Sequence, residues 1–405
     1  MKNDIAVSLY CSFDELGMLQ GRWDDLAASV GSEIFLTYDW CRIWWKHYGK
    51  DRDLRIWVFQ KGTELVGVVP VFLEKIWLGP VYVRAAKLVG SDHTMAQFSL
   101  PIVSDHIAEV IEKLAESLLK QRWDVAHMGP IAGLCSHYEK LKEALEKAFG
   151  SACGISFSEK QVQTYFLVAD TWEAQLASLS KNARRNIKRK CQALKDALQN
   201  RPGDLTLEFA TIQNVDEIFH EFVNMHQKHW KKEGRLGHFD DWPDSFDFHK
   251  EMAHAQLKYD RLRLMRIRWG ECCLGYEYTY KFGDRYFAFL NSRTDMEDVA
   301  NVNVGTTIFT EQIKKAMSEN VRYVDAMRAK YDYKMRLGGK LFPMRDIYVF
   351  QKRILSRSLV YMFRLLSRLL HLCYYKMWFM RIAPKLPLRR RPLWRKWIRS
   401  NPFAQ

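Results

Sequence analysis

The segment LRIWVFQKGTELVGVVPVFLEK, starting at Leu54, returns in altered form as LRLMRIRWGECCLGYEYTYKFG, starting at Leu262. Leu54 and Leu262, Arg55 and Arg263, Gly62 and Gly270, and Gly67 and Gly275 each stand 208 positions apart. Both segments run strand, glycine turn, strand, which predicts a β-hairpin in each half. The flanks repeat the same order. An aromatic-rich helical stretch precedes each hairpin, YDWCRIWWKHYG in one half and IFHEFVNMHQKHWKKEG in the other. A helix and a short strand follow each. These are residues 106–120 then WDVAHMGP in the first half, and 305–317 then VRYVDAMR in the second. Repeated order at a constant offset argues for two copies of one α/β unit; chance likeness of two ordinary hairpins is the other reading. The expected fold class is α/β (α+β), each copy a mixed sheet flanked by helices. The expected domains are residues 1–165 and 166–350, followed by a tail at 351–405.

Charge separates the tail from the body. The net charge is +15, yet residues 347–405 hold 14 Lys and Arg and no acid, leaving +1 for the first 346 residues. A nearly neutral body excludes a general DNA-binding surface. In the tail, Arg353, Arg357, Arg364, Arg368 and His371 fall on one narrow stripe at 100° per residue. The rest of that cylinder is apolar, and Trp378, Phe379, Trp394 and Trp397 follow among further cations. This pattern predicts a helix lying on an anionic membrane surface; a helix packed on the body or on a partner fits the same pattern. The eight cysteines form no CxxC pair, which points to free thiols in a reducing compartment. With no signal-peptide pattern and no run of eighteen apolar residues, the expected location is cytoplasmic, peripheral to the inner face of the membrane.

The segments TYDWCRIWWKHYG, LVGVVPVF, LSKNARRNIKRK, NMHQKHW and YDYKMRLGG, in that order, resemble the CelD/BcsL-like branch of the GNAT acyltransferases, related to the FemABX peptidyltransferases. The resemblance runs from about residue 30 to 345. It implies tandem GNAT-like domains and an acyltransferase often tied to envelope or polysaccharide assembly. Acyl-CoA is the implied co-substrate, and an amine or hydroxyl of an envelope or exopolysaccharide precursor the acceptor. An aminoacyl-tRNA donor, as in FemABX proteins, is the alternative, and a non-catalytic membrane-docked component of polysaccharide assembly is a third. The step AKYD, Ala329 to Asp332, is bulkier than in similar sequences. The first copy has no Tyr-Lys pair after its final strand, so the second copy is expected to carry the site.

Acyl transfer needs a cradle for donor phosphates, a proton acceptor and a donor for the oxyanion. Gly305 and Thr306 stand where an apolar helix begins, so unpaired N–H groups there would face an anion; a plain helix start reads the same way. Arg184, Arg185, Lys188 and Arg189, with Lys181 and Lys190 beyond them, gather on one helix flank. The resemblance places this flank beside the active cleft, as a site for phosphate or a tRNA backbone. Asp325 and Arg328 flank the end of a strand, followed by Tyr333 and Lys334, which match the family motif with Gly338 and Gly339. His226, at a recurrent family position, is the second candidate base after Asp325, and Asn291 is a candidate for orienting the acceptor. Asp92-His93 is a weaker first-copy alternative. No HExxH, GxSxG or P-loop pattern occurs, so neither metal chemistry, a serine hydrolase nor a P-loop is expected.

Overall fold

The computed structural model describes residues 4–78, 81–296, 299, 302, 304–386 and 401. The described residues form twelve strands. Those of the first half are β1 (Ala6–Tyr10), β2 (Asp53–Lys61), β3 (Glu64–Leu78), β4 (Val81–Leu88), β5 (Val125–Ile131) and β6 (Cys153–Leu167). Those of the second are β7 (Leu205–Phe209), β8 (Leu262–Trp269), β9 (Cys272–Phe282), β10 (Arg285–Arg293), β11 (Tyr323–Arg328) and β12 (Lys340–Gln351). Two compact units result. One is Met1–Lys160 with Met344–Gln405, the other Gln161–Pro343.

In the first unit the strand order is β1-β2-β3-β4-β5-β12. Strands β1 to β4 pair antiparallel; β4 and β5 pair parallel, with Ala85 opposite Val125; β12 closes antiparallel, with Ile347 opposite Met128. The second unit repeats this pattern as β7-β8-β9-β10-β11-β6. Its single parallel step joins β10 to β11, and β6 closes antiparallel on β11. A parallel step needs a long crossover, supplied by the helices Ile107–Leu119 and Val304–Ser318. Each closing strand comes from the other half of the sequence. β6 follows β5 in the chain yet pairs with β11, and β12 follows β11 yet pairs with β5.

The helices form because their apolar residues recur at helical spacing. Tyr38–Tyr48 buries Trp40, Ile43 and Trp44, and Trp44 packs 5.3 Å from Phe72 of β3. In the first unit the crossover loop is stitched to the sheet. Phe98 donates its N–H to Pro130 O at 2.9 Å and accepts at its own carbonyl from Ala132 N–H at 3.0 Å; Val103 donates to Val66 O. In the second unit, Lys181–Leu198 is capped by the Ser180 hydroxyl, which accepts from Ala183 N–H at 3.2 Å. It buries only Ile187, Leu194 and Leu198, so the cations between them stay toward solvent. Val215–Lys232 buries Phe219, Phe222 and Val223 against Tyr276 and Tyr278 of β9.

After β12 the chain forms the helix Ile354–Leu370, continued by the π-helical segment His371–Ile382. Val360 and Phe363 pack on Ile76, Val83, Ala85 and Val125 of the first unit's sheet. The expected tail helix is therefore docked along one face. Residues 387–400, with Trp394, Trp397 and the Arg389 to Arg391 run, lie outside the described residues.

Candidate active site

The second unit opens where its two parallel strands part. β10 and β11 pair only at Arg285–Tyr323, Tyr286–Val324 and Phe287–Asp325. Beyond that point β10 bulges between Ala288 and Leu290 and follows β9 alone. β11 turns irregular between Asp325 and Arg328, with left-handed backbone at Met327 (φ 60°) and Ala329 (φ 79°). Backbone amides released from a ladder must find other partners. Here Met327 N–H donates to Asp325 Oδ1 at 2.8 Å and Ala329 N–H to Val162 O at 2.9 Å, which leaves a notch between the parted strands.

The helix Val304–Ser318 follows β10, and its first-turn N–H groups lack intrahelical acceptors. Gly305 is half-buried there, and Thr306 and Thr307 are buried. The Thr307 hydroxyl is buried with no hydrogen-bond partner among the described residues. Together these groups could receive an anionic oxygen.

Lys334 sits in the short helix Asp332–Arg336 just beyond β11. Its ammonium is buried and donates to three main-chain carbonyls: Ala326 at 2.6 Å, Arg328 at 3.2 Å and Ala329 at 3.4 Å. It also lies 4.9 Å above the Tyr331 ring. Burial lowers its pKa to about 8, partly offset by the Asp325 charge. The turn that follows needs glycine. Gly338 has φ +93°, and a Cβ there would collide with the Leu179 side chain.

Asp325 is fully buried, accepting from Gln163 Nε2 at 2.6 Å and from Met327 N–H at 2.8 Å. It thus fixes the irregular end of β11. Tyr333 stacks on Tyr331 with ring centroids 5.9 Å apart and keeps about half its surface in solvent. Burial, and then the Glu277 carboxylate, push its pKa up to about 12.

Glu277, which the sequence did not single out, is a strongly perturbed carboxyl near this notch. It lies buried on β9, directly opposite Asn291 of β10, and accepts from Gln312 Nε2 at 3.3 Å. Burial raises its pKa to about 8, against which the Gln312 bond works. The available signal was a lone acid within the aromatic strand sequence CCLGYEYTYKF.

The remaining candidates divide by surroundings. His226 is buried; its Nδ1 donates to Asn291 O at 2.9 Å and its Nε2 accepts from His238 N–H at 3.4 Å. Burial lowers its pKa to about 4, so the ring is neutral at neutral pH. Asn291 itself is exposed, and Arg328 is half-buried at the end of β11. Lys181, Arg184, Arg185, Lys188 and Arg189, with Gln192, line an open concavity of about 730 Å³. Cys191 of the same helix meets Thr310 of Val304–Ser318, with Sγ and Oγ1 3.8 Å apart. Among the described residues no group of three His, Cys, Asp or Glu side chains gathers to hold a metal.

Parallel strands that part beside a helix start, in a sheet of this order, form a mixed α/β fold with a notch at the split. Residues 181–335 match the family model for the acetyltransferase (GNAT) domain. FemX is similar in structure over 84% of this chain and 98% of its own, with TM-score 0.58 and 9% identity. A conserved protein of unknown function from Bacteroides thetaiotaomicron matches 85% of this chain and 100% of its own (TM-score 0.49, 11% identity). A tandem GNAT protein from the clavulanic acid biosynthesis pathway matches 86% and 98% (TM-score 0.43, 12% identity). No curated protein sequence matches the chain. The chain therefore has a mixed α/β GNAT fold, with its acetyltransferase-type domain at 181–335.

Proposed function

We propose that the second unit transfers an acyl group from acyl-CoA to an amine or hydroxyl of an envelope or exopolysaccharide precursor, as in the CelD-like GNAT proteins, at the inner face of the membrane. The observation that carries this reading is the parting of β10 from β11 beyond Phe287 and Asp325, beside the start of Val304–Ser318. The notch between the parted strands would hold the donor's pantetheine arm. Gly305, Thr306 and the helix start would take its phosphates, with Arg184, Arg185 and Lys188 beyond them.

Glu277 is the proposed proton acceptor, because a general base works best with a pKa near the operating pH. The acceptor's nitrogen or oxygen attacks the thioester carbonyl, its proton passes to ionised Glu277, and a new C–N or C–O bond forms. The C–S bond then breaks, and the leaving thiolate takes the Tyr333 hydroxyl proton, which Glu277 replaces. Asp325, Lys334 and His226, whose polar atoms bind the main chain, hold β11 and β10 in place for this step. Asn291 and Arg328, at the strand ends, would orient the acceptor.

An aminoacyl-tRNA donor is the second reading. It is favoured by the cations of 181–189, gathered along one helix flank with Lys181, Arg185, Lys188 and Arg189 exposed. Calorimetric titration with coenzyme A decides between donors. Binding that disappears in Gly305→Asp supports acyl-CoA. No binding, with uncharged or charged tRNA retained on a filter instead, supports the tRNA donor. Retention of neither leaves a non-catalytic component.

A further inference from the structure

The helix Ile354–Leu370 has two apolar faces, and the first unit covers only one. Val360 and Phe363 are buried against the sheet, buried Ser367 accepts from Asn401 Nδ2 at 2.8 Å, and the Ser356 hydroxyl donates to Asp124 at 2.9 Å, fixing the rotation of the helix. At 100° per residue the opposite side carries Ile354, Leu355, Met362, Leu365, Leu366 and Leu369 within an arc of about 120°. These side chains are exposed, Ile354 at 84% and Leu355 at 81%. Arg357, Arg364 and Arg368 form a row along one border of the arc, between the buried and exposed faces. The strip is about 25 Å long at 1.5 Å per residue. It continues into exposed Leu372, Met377 and Trp378 of the π-helical segment.

We propose that this arc is a docking surface for an anionic phospholipid bilayer, on which the protein lies with the helix axis in the membrane plane. This inference is independent of the acyl-transfer reading and does not require it. Three observations choose the bilayer among possible occupants. Residues 347–405 contain no acid, so the whole segment is complementary to a negative surface. No described helix is long and apolar enough to cross a membrane, whereas a wide apolar arc bordered by arginines suits one lying in the interface. A second copy packing face to face and antiparallel would bring two like-charged arginine rows to the same border. The sequence-level stripe of cations thus takes a specific role. It marks the boundary between the face held by the protein and the face offered to lipid.

The experiment is co-sedimentation of the full chain with phosphatidylcholine vesicles, with and without phosphatidylglycerol. The expected result is binding that requires phosphatidylglycerol and weakens with salt. Leu365→Glu with Leu369→Glu should weaken it at least tenfold, while thermal unfolding stays that of the parent because both positions face solvent. Arg357→Glu and Arg368→Glu should each cost about fivefold on anionic vesicles. The milder Leu369→Ser keeps the test valid should the double variant fail to fold. Absence of binding to anionic vesicles, equal binding to both vesicle types, or a solution dimer dissociated by Leu365→Glu would each overturn the proposal.

Discussion

The buried ammonium of Lys334 donates to the carbonyl of Ala326 at 2.6 Å, tying the short helix beyond β11 back to the strand it follows. The same nitrogen reaches the carbonyls of Arg328 and Ala329. The end of β11, with positive φ at Met327 and Ala329, is held jointly by this lysine, by Met327 N–H on Asp325, by Ala329 N–H on Val162 O and by the Thr164 hydroxyl on Ala329 O. Replacing Lys334 with Met takes the ammonium from the Ala326 and Arg328 carbonyls, while Ala329 O keeps Thr164. A loss of about 2–4 kcal/mol is expected from urea unfolding, together with loss of turnover. A variant as stable as the parent would show that other donors serve this loop.

Glu277 sets a pH dependence. Its folded pKa, about 8, lies above the ordinary carboxyl value of 4.5, so the native state binds the extra proton between those values. The associated stabilisation is complete below pH 4.5 and is lost as pH rises through about 8, on the order of 4 kcal/mol for this buried group. Glu277→Gln should flatten stability across that window in unfolding titrations. If Glu277 is the base, kcat/KM of the parent rises towards pH 8 and the variant loses both rate and that limb; an unchanged pH–rate profile removes Glu277 from the mechanism.

Tyr333→Phe keeps the stack on Tyr331 and removes only the hydroxyl. A fall in kcat of about 10²–10³ with little change in melting temperature is expected, read by release of free thiol. Parent-like turnover would assign the phenol to acceptor contact alone.

His226 behaves oppositely to Glu277. Its folded pKa of about 4 lies below 6.5, so the native state resists protonation. Its contribution is present above pH 6.5 and is lost as pH falls through about 4, amounting to about 3 kcal/mol. The ring resonance in NMR should show no titration between pH 5.5 and 7.5. A midpoint near 6.5 would mean that the bonds to Asn291 and His238 are not kept in solution.

Arg185→Glu with Lys188→Glu alters two exposed positions of this flank and should leave stability within about 0.5 kcal/mol. Weaker coenzyme A binding with tRNA unaffected, measured side by side, would fit the acyl-CoA reading. Loss confined to tRNA would fit the other.

Much of the architecture could be read along the chain because hairpins are local. Leu54 and Leu262 begin matching strands, β2 and β8, each paired with the strand after the next glycine turn. The strand exchange could not be read, since β6 and β12 each pair with a strand that is not their neighbour in the chain. Of the site, Tyr333 and Gly305 stood out as a motif and a helix start. Glu277 did not, because an acid in an alternating strand ordinarily faces water, and only the packing of Gln312 against β9 shows that this one is buried.

The sequence by itself determined two α/β copies and a tail free of acids, since periodicity, turn glycines and charge counts act over a few residues. Tertiary structure decided which partners those residues meet. It turned Lys334 inward to main-chain carbonyls, raised the Glu277 pKa by desolvation, and spent one face of the Ile354–Leu370 helix on the sheet. These outcomes depend on neighbours distant in the chain, and burial sets the cost of each polar group by what surrounds it.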